Sequence, residues 1–315
     1  MTPKRKFYRK GYQHICQISA DKGLIFYNDA DFIVLFTIIC RAAVKYKAHI
    51  IALDIMYNHF HLEASFDKVD DMSLFVNEIC SIFARNYNFR YNRSGQLFKK
   101  SYNSSAKWSE GDIENNYVYV NNNPMPKGAV KEVSQYRWNF LAYMASDHPF
   151  SEPLDKMKMS PEMKRAIKLT DRIYGGEEYI SYGTLGKIFC KLTETERQQA
   201  TDYIVVKYNV IDYAVALKKW GSYERIKEML SIVKGSEYDI SEDVSREDYT
   251  HYDLMKGVIR KAGFNLDHRR FDSNDLDPIR LSKYKQLLLK SGCGSEMEVD
   301  KFLHLGPYSR RKSEK

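Results

Sequence analysis

Ala48-His-Ile-Ile-Ala-Leu-Asp-Ile-Met56, Tyr57-Asn58 and His59-Phe-His-Leu-Glu-Ala-Ser-Phe66 follow one another in the chain, and their reading decides the fold. Ala48 to Met56 is apolar except at His49 and Asp54, as in a buried strand. Tyr57-Asn58 interrupts it, and His59 to Phe66 resumes strand character. On a strand, residues two apart share a face. His59 and His61 therefore project side by side, while Phe60 between them points into the core. Such a pair is a two-point metal clamp with an apolar anchor between its arms. The plain alternative is two unrelated histidines on a strand edge. The chain holds eight histidines, and no other pair lies this close.

Outward from this pair the signals alternate. His14 to Ser19 reads as a strand. Asp29 or Asp31 can cap a helix running to about Lys47, with Phe32, Leu35, Phe36, Ile39 and Ala43 on one face. Asp70 or Asp71 starts a second helix carrying Leu74, Phe75, Ile79, Ile82 and Phe83 at helical spacing. Arg93-Ser-Gly-Gln96 is a turn, followed by a polar, basic stretch to Trp108. Ser109 to Asp112 begins a third helix, which must end near Asn123-Pro124. A split strand-helix-strand repeat of this order predicts an α+β fold, an antiparallel sheet with helices on one face. Residues 148–161 are polar, hold three prolines and read as a linker. Beyond them the period is helical throughout, predicting five or six short helices. Thr193–Glu196 and Ser295–Glu298 fit capping boxes, Ser222 and Ser245 are N-cap candidates, and Asp277-Pro278 places proline at a first helical position. The acidic stretch Glu237 to Asp248 separates two groups of helices.

Composition narrows the function classes. The 315 residues are 43% hydrophobic and 29% charged with only 16 Gly and 8 Pro, which excludes a disordered, collagen-like or low-complexity protein. The net charge of +8 leans towards a polyanionic partner. The five cysteines share no short spacing, so no zinc knuckle or disulfide framework is expected, and a reducing interior is. The basic N-terminus is not followed by an apolar signal region, and the most apolar stretch, Phe32 to Val44, is too short to span a bilayer. A soluble, intracellular protein without a membrane partner is expected.

Two further groups bear on chemistry. Tyr119 and Asn123 stand four apart, on one helical face, where a phenol and an amide could serve as nucleophile and metal ligand. The plain alternative is an ordinary helix end with an Asn-rich, proline-terminated cap. Tyr117, two residues away, faces elsewhere. Lys4, Arg5, Lys6, Arg9 and Lys10 open the chain, and Arg93, Lys99, Lys100 and Lys107 lie near the 93–108 turn among Tyr87, Phe89, Tyr91, Phe98 and Tyr102. Cations interleaved with aromatics suit a groove for single-stranded nucleic acid, or form a solvated basic face.

Met56-Tyr-Asn-His-Phe-His-Leu62 resembles the Met-Pro-Asn-His-x-His-Leu signature of the single-tyrosine HUH transposases, named for their His-hydrophobic-His pair. Tyr119-Val-Asn-Asn-Asn-Pro-Met-Pro-Lys-Gly-Ala-Val130 resembles their Tyr-Ile-x-x-Asn-Pro-Val-Arg-Ala-Gly-Leu-Val, and Arg93-x-Gly-x-Leu-Phe98 their Arg-x-Gly-x-Leu-Trp. His14 and Ile25-Phe26-x-x-Asp29 also fall where that family has similar residues. The resemblance covers roughly residues 8 to 145, with order and spacing matching, and is nearest to the REP-associated tyrosine transposases. Tyr57 stands where the family has proline, and Pro126 and Lys127 where it has Arg-Ala.

The resemblance implies a ferredoxin-like HUH domain over 1–147, the linker, and a helical C-terminal domain over 162–315 that serves as a DNA-binding or interaction module. Tyr119 would be the catalytic nucleophile, forming a 5′-phosphotyrosine on single-stranded or hairpin DNA. His59, His61 and Asn123 would hold Mg²⁺ or Mn²⁺, with Glu63 a rival third ligand because it shares the strand face of both histidines. The nine cations named above would meet DNA. Transposition and recombination at the bacterial nucleoid are the implied setting, and a homodimer is one arrangement left open. The alternative is a domesticated, catalytically silent protein that binds hairpin DNA. Leu287 to Leu305, around Gly292-Cys-Gly294, resembles the first two helices of a helix-turn-helix, and the basic tail from Gly306 offers no recognition helix.

Overall fold

A computed structural model describes residues 7, 9, 11–125, 130–155, 157–232, 249–262 and 278–303. Lys4, Arg5, Lys6, Lys10, Pro126, Lys127, Ser245, the acidic stretch and the basic tail lie outside the described residues. The first half runs β1 (Tyr12–Ile18), α1 (Asp29–Tyr46), β2 (His49–Ile55), β3 (His59–Ser65), α2 (Val69–Arg90), β4 (Asn103–Lys107) and α3 (Glu110–Asn122). The four strands form one sheet in the order β2-β3-β1-β4, and every neighbouring pair is antiparallel. The fold is α+β, as the strand and helix periods predict.

The two sheet faces differ in chemistry because the pleat alternates. Ile15, Leu53, Phe60, Leu62 and Ala64 are buried in one core with Phe32, Leu35, Phe36 and Ile39 of α1 and Phe75, Ile79 and Phe83 of α2. The opposite face carries His14, Cys16, Asp54, His61, His59 and Glu63, and α3 packs across it against β2, β3 and β4. Helices therefore cover both faces rather than one. The reason is in α3 itself: Val118 and Val120 are buried together with Ala52 of β2, an apolar seam that draws the helix onto the polar face.

Local signals account for the boundaries, with two shifts. Asn28, not Asp29 or Asp31, caps α1; Asp31 at the third position closes a capping box with it. Ser109 and Asp112 close the same box at α3. In α2 the buried stripe is Met72, Phe75, Val76, Ile79, Phe83 and Tyr87, and Leu74 is 52% exposed, so the apolar face is rotated from the one expected. Met56, Tyr57 and Asn58 join β2 to β3; the Met56 amide donates to the His59 carbonyl at 2.9 Å, which leaves Tyr57 and Asn58 as the turn residues, and neither has positive φ. A two-residue hairpin turn of that kind does not match strand twist by itself. It is held from outside: Ile25 and Phe26 donate to the Tyr57 carbonyl at 2.8 and 3.0 Å, and Ser19 donates to the Asn58 carbonyl at 2.9 Å. The Tyr57 ring, where the resembling family has proline, packs edge-on to Phe32 and Tyr136.

The second half contains eight helices among the described residues, more than the five or six expected: α4 (Pro161–Gly175), α5 (Tyr182–Ile188), α6 (Glu194–Tyr208), α7 (Ala214–Trp220), α8 (Tyr223–Ile232), α9 (Tyr249–Lys261), α10 (Pro278–Lys290) and α11 (Glu296–Phe302). The described residues within 148–160 carry no helix or strand, and Pro161 already begins α4 behind its Ser160 cap. The core does not stop there. Met163, Ala166, Leu185, Ile204 and Val205 are buried in the same cluster as α1 and α2. Buried Asp202 of α6 accepts from the Tyr143 hydroxyl at 2.7 Å, the Phe150 amide at 3.1 Å and the Ser151 hydroxyl at 2.8 Å, and pairs with Arg137 at 3.1 Å. The helices α9–α11 form a separate apolar cluster with Leu24 and Tyr27. All five cysteines are free thiols, and no described helix is long and apolar enough to cross a membrane.

Candidate active site

β3 delivers His59 and His61 to the polar face, with ring centroids 4.9 Å apart and planes nearly perpendicular. Phe60 between them is fully buried among Phe83 and Phe98, so the strand cannot rotate without opening the core. β1 adds a third imidazole: His14 Nε2 lies 2.9 Å from His61 Nδ1. His59 Nδ1 lies 2.5 Å from the Asn58 side-chain oxygen. Both β3 histidines are thus engaged at Nδ1, the arrangement that orients the Nε2 edge towards a ligand.

α3 brings Tyr119 over these rings. Its ring centroid lies 5.7 Å from those of both His14 and His61, each in edge geometry. Tyr119 is half-buried, whereas Tyr117 is buried and stacks at 5.1 Å on Trp220 of α7. Burial, and less so the nearby Tyr213 and Glu63, drives the Tyr117 hydroxyl well above the usual phenol range. Of these two tyrosines, Tyr119 is the one whose ring lies against the histidines. Asn123 follows one turn later as the last residue in helical conformation, φ −50° and ψ −38°, despite the proline after it. It is buried, and its side-chain nitrogen makes no hydrogen bond among the described residues. An amide ligates a metal through its oxygen, so the unmatched nitrogen does not by itself mark a ligand position.

Carboxylates also line this face. Glu63 pairs in register with His14, and Asp54 with His61. Both are buried. At roughly 3.3 Å per strand residue, Glu63 stands about 13 Å from His59 along β3. Its charge is felt at the other end, where burial first and Glu63 second push the Tyr12 hydroxyl up to about 12. Among the described residues no three His, Cys, Asp or Glu side chains converge as a metal cage. Two histidines completed by an amide, His59, His61 and Asn123, is a set of another kind. Asp54 and the role of Asn58 go beyond what the sequence singled out. The signal for Asp54 was there, a lone carboxylate in an apolar strand.

The cations divide. The Lys99 amide donates to the Ile18 carbonyl, and Ile18 is the register neighbour of His59, so Lys99 and exposed Lys100 stand at the histidine end of the sheet. Arg93 lies 5.5 Å over the Tyr87 ring. Arg9 is exposed. Lys107, by contrast, is buried opposite Tyr12 in the sheet and is not a surface cation. Trp108 after it is 55% exposed and Phe89 91% exposed, two aromatic faces open to solvent.

Residues 8–123 match the model of the family described as Transposase IS200 like. Over this stretch the chain is similar to the IS200-like transposases. The matched residues run from just before β1 to Asn123, the candidate third ligand, and the helices from α4 onward lie outside them. A solved structure described as a REP-associated tyrosine transposase bound to a REP hairpin is similar at 18% identity, over 44% of this chain and 81% of that one, with a TM-score of 0.39. No curated protein is similar enough to count as a match.

Proposed function

We propose that the transposase domain nicks and rejoins single-stranded, hairpin-bearing DNA, with Tyr119 as the covalent nucleophile. The observation that carries this reading is a half-buried tyrosine set edge-on against two of three clustered imidazoles on a sheet face otherwise closed by α3. His59, His61 and Asn123 would hold Mg²⁺ or Mn²⁺, which imidazole and amide donors accept. When bound, such an ion polarises the scissile phosphate and neutralises its charge. The Tyr119 oxygen attacks phosphorus as its proton leaves. The bond to the 3′ oxygen breaks, and that oxygen takes up a proton. The products are a 5′-phosphotyrosine and a free 3′-hydroxyl. The bond energy is conserved, so attack by a 3′-hydroxyl reverses the step without ATP. Lys99, Lys100, Arg93 and Arg9, with Phe89 and Trp108, supply the charge and the stacking faces that single strands require.

The test is a cleavage assay on labelled single-stranded hairpins from the flanks of its own gene, with Mg²⁺ or Mn²⁺, comparing wild type, Tyr119→Phe and His59→Ala. A metal-dependent, denaturant-resistant protein–DNA adduct lost in both variants is the expected result. Cleavage that survives Tyr119→Phe moves the nucleophile to water or another tyrosine. Binding without cleavage, across several hairpins, points instead to a silent DNA-binding protein.

A further inference from the structure

We infer that Asn58 is a positioning residue that sets the tautomer of His59. The inference starts from the amide's own constraints. Its nitrogen donates to the Lys22 carbonyl at 2.8 Å. A carbonyl only accepts, so the NH₂ end must face Lys22, and the oxygen is left facing His59 Nδ1 at 2.5 Å. An amide oxygen also only accepts. The proton between the two is therefore on His59 Nδ1, and in the neutral ring the lone pair is on Nε2.

The clamp is held from both sides. Asn58 is buried, and its own carbonyl accepts from Ser19. Lys22 sits in a turn with φ of 62°, closed by its amide on the Ser19 carbonyl at 3.2 Å, by Ser19 Oγ on the Gly23 carbonyl at 2.7 Å and by the Gly23 amide on Asp21 at 3.0 Å. The carbonyl that orients the amide is thus fixed by a turn of its own. His61 differs. Its Nδ1 faces His14 Nε2, a ring nitrogen that serves as donor or acceptor, so its neighbour does not dictate its tautomer in the same way. The Asn58 oxygen gives His59 an acceptor-only partner at Nδ1. The consequence for metal rests on the proposed function; the tautomer does not.

The test is ¹⁵N NMR of histidine-labelled, metal-free, full-length protein at about pH 8, where an unperturbed imidazole is neutral. His59 in the wild type is expected as the Nδ1–H tautomer. Asn58→Asp, which keeps an acceptor, retains it, and Asn58→Leu, of similar size without one, shifts His59 towards Nε2–H. A parallel Mn²⁺ titration followed by EPR is expected to weaken about 10- to 100-fold in Asn58→Leu and to hold in Asn58→Asp. A wild-type His59 carrying its proton on Nε2 overturns the inference, and so does a tautomer unchanged in folded Asn58→Leu. The wild-type spectrum decides alone if that variant does not fold. A tautomer that shifts as expected, in a protein that binds no Mn²⁺, supports the role of Asn58 and removes the metal reading.

Discussion

Asp31 makes the stability of this protein depend on pH in the direction opposite to most carboxylates. It is fully buried, and burial raises its carboxyl from the ordinary 3.8 to about 6, against the hydrogen bonds that favour the charge. Those come from the Tyr27 and Asn28 amides at 2.8 and 3.3 Å on one oxygen, and from the Tyr91 and Tyr182 hydroxyls at 2.8 and 2.7 Å on the other. Between about pH 4 and pH 6 the folded state keeps a proton that the unfolded chain has lost, so stability falls as pH rises. At about 1.36 kcal/mol per pH unit, the displacement amounts to roughly 3 kcal/mol. Asp31→Asn mimics the protonated group: its oxygen can accept from the two amides and its nitrogen can donate to the two tyrosine oxygens. Glu78, Asp112, Asp171 and Glu196 are lowered and slope the other way, so the informative quantity is the difference between wild type and variant. Urea unfolding of both proteins from pH 4 to pH 8 supplies it. The variant should gain on the wild type by up to about 3 kcal/mol between pH 4 and pH 7. Parallel curves, or a wild type that gains as pH rises, would refute the reasoning.

The remaining predictions concern packing around the site. Phe60→Ala removes the buried anchor between the histidines and should cost about 3 to 5 kcal/mol in denaturant unfolding, while Leu74→Ala, on the exposed side of α2, should stay within about 0.5 kcal/mol. Equal losses would mean that the burial of α2 is misassigned. Trp220→Ala removes the ring stacked on Tyr117 and should cost about 1 to 2 kcal/mol. Its signature is faster amide exchange in α3 with β1 and β3 unchanged, and uniform exchange across all three would count against a local role for α7.

Much of the first half is legible because its signals are local. Period-two alternation, the capping box at Ser109 and the proline after Asn123 each bound an element within a few residues, and His59-Phe60-His61 carries its geometry in its spacing. What escapes is set across the chain. The pairing of His14 with His61 depends on strand register between residues 47 apart in sequence. The Asn58 amide depends on a turn at Lys22 that only the folded chain brings near. Lys107 looks like a surface cation beside an aromatic, yet it lies inside a strand whose face is covered by α3. The rotation of the α2 stripe past Leu74 is of the same origin, since several apolar residues fit a helical period and only the partner α1 chooses among them.

The helices beyond the matched residues reach the site through α3. Tyr119 meets the histidines only as long as α3 stays seated on the polar face, where Val118 and Val120 are buried with Ala52 of β2. α7 and α8 add further burial to α3. Ala216, Ile226 and Leu230 of α7 and α8 are buried with Tyr117, Val118 and Val120, Asn122 donates to the Leu230 carbonyl at 2.9 Å, and Lys219 pairs with Glu114. One turn of α3 thus carries two tyrosines with opposite tasks: Tyr117 is held by α7, and holding it aims Tyr119 at His14 and His61. α3 takes its position both from the sheet, which it meets through β2, β3 and β4, and from the apolar hairpin of α7 and α8. The second half of the chain is therefore one determinant of how Tyr119 is presented to His14 and His61 within a single chain.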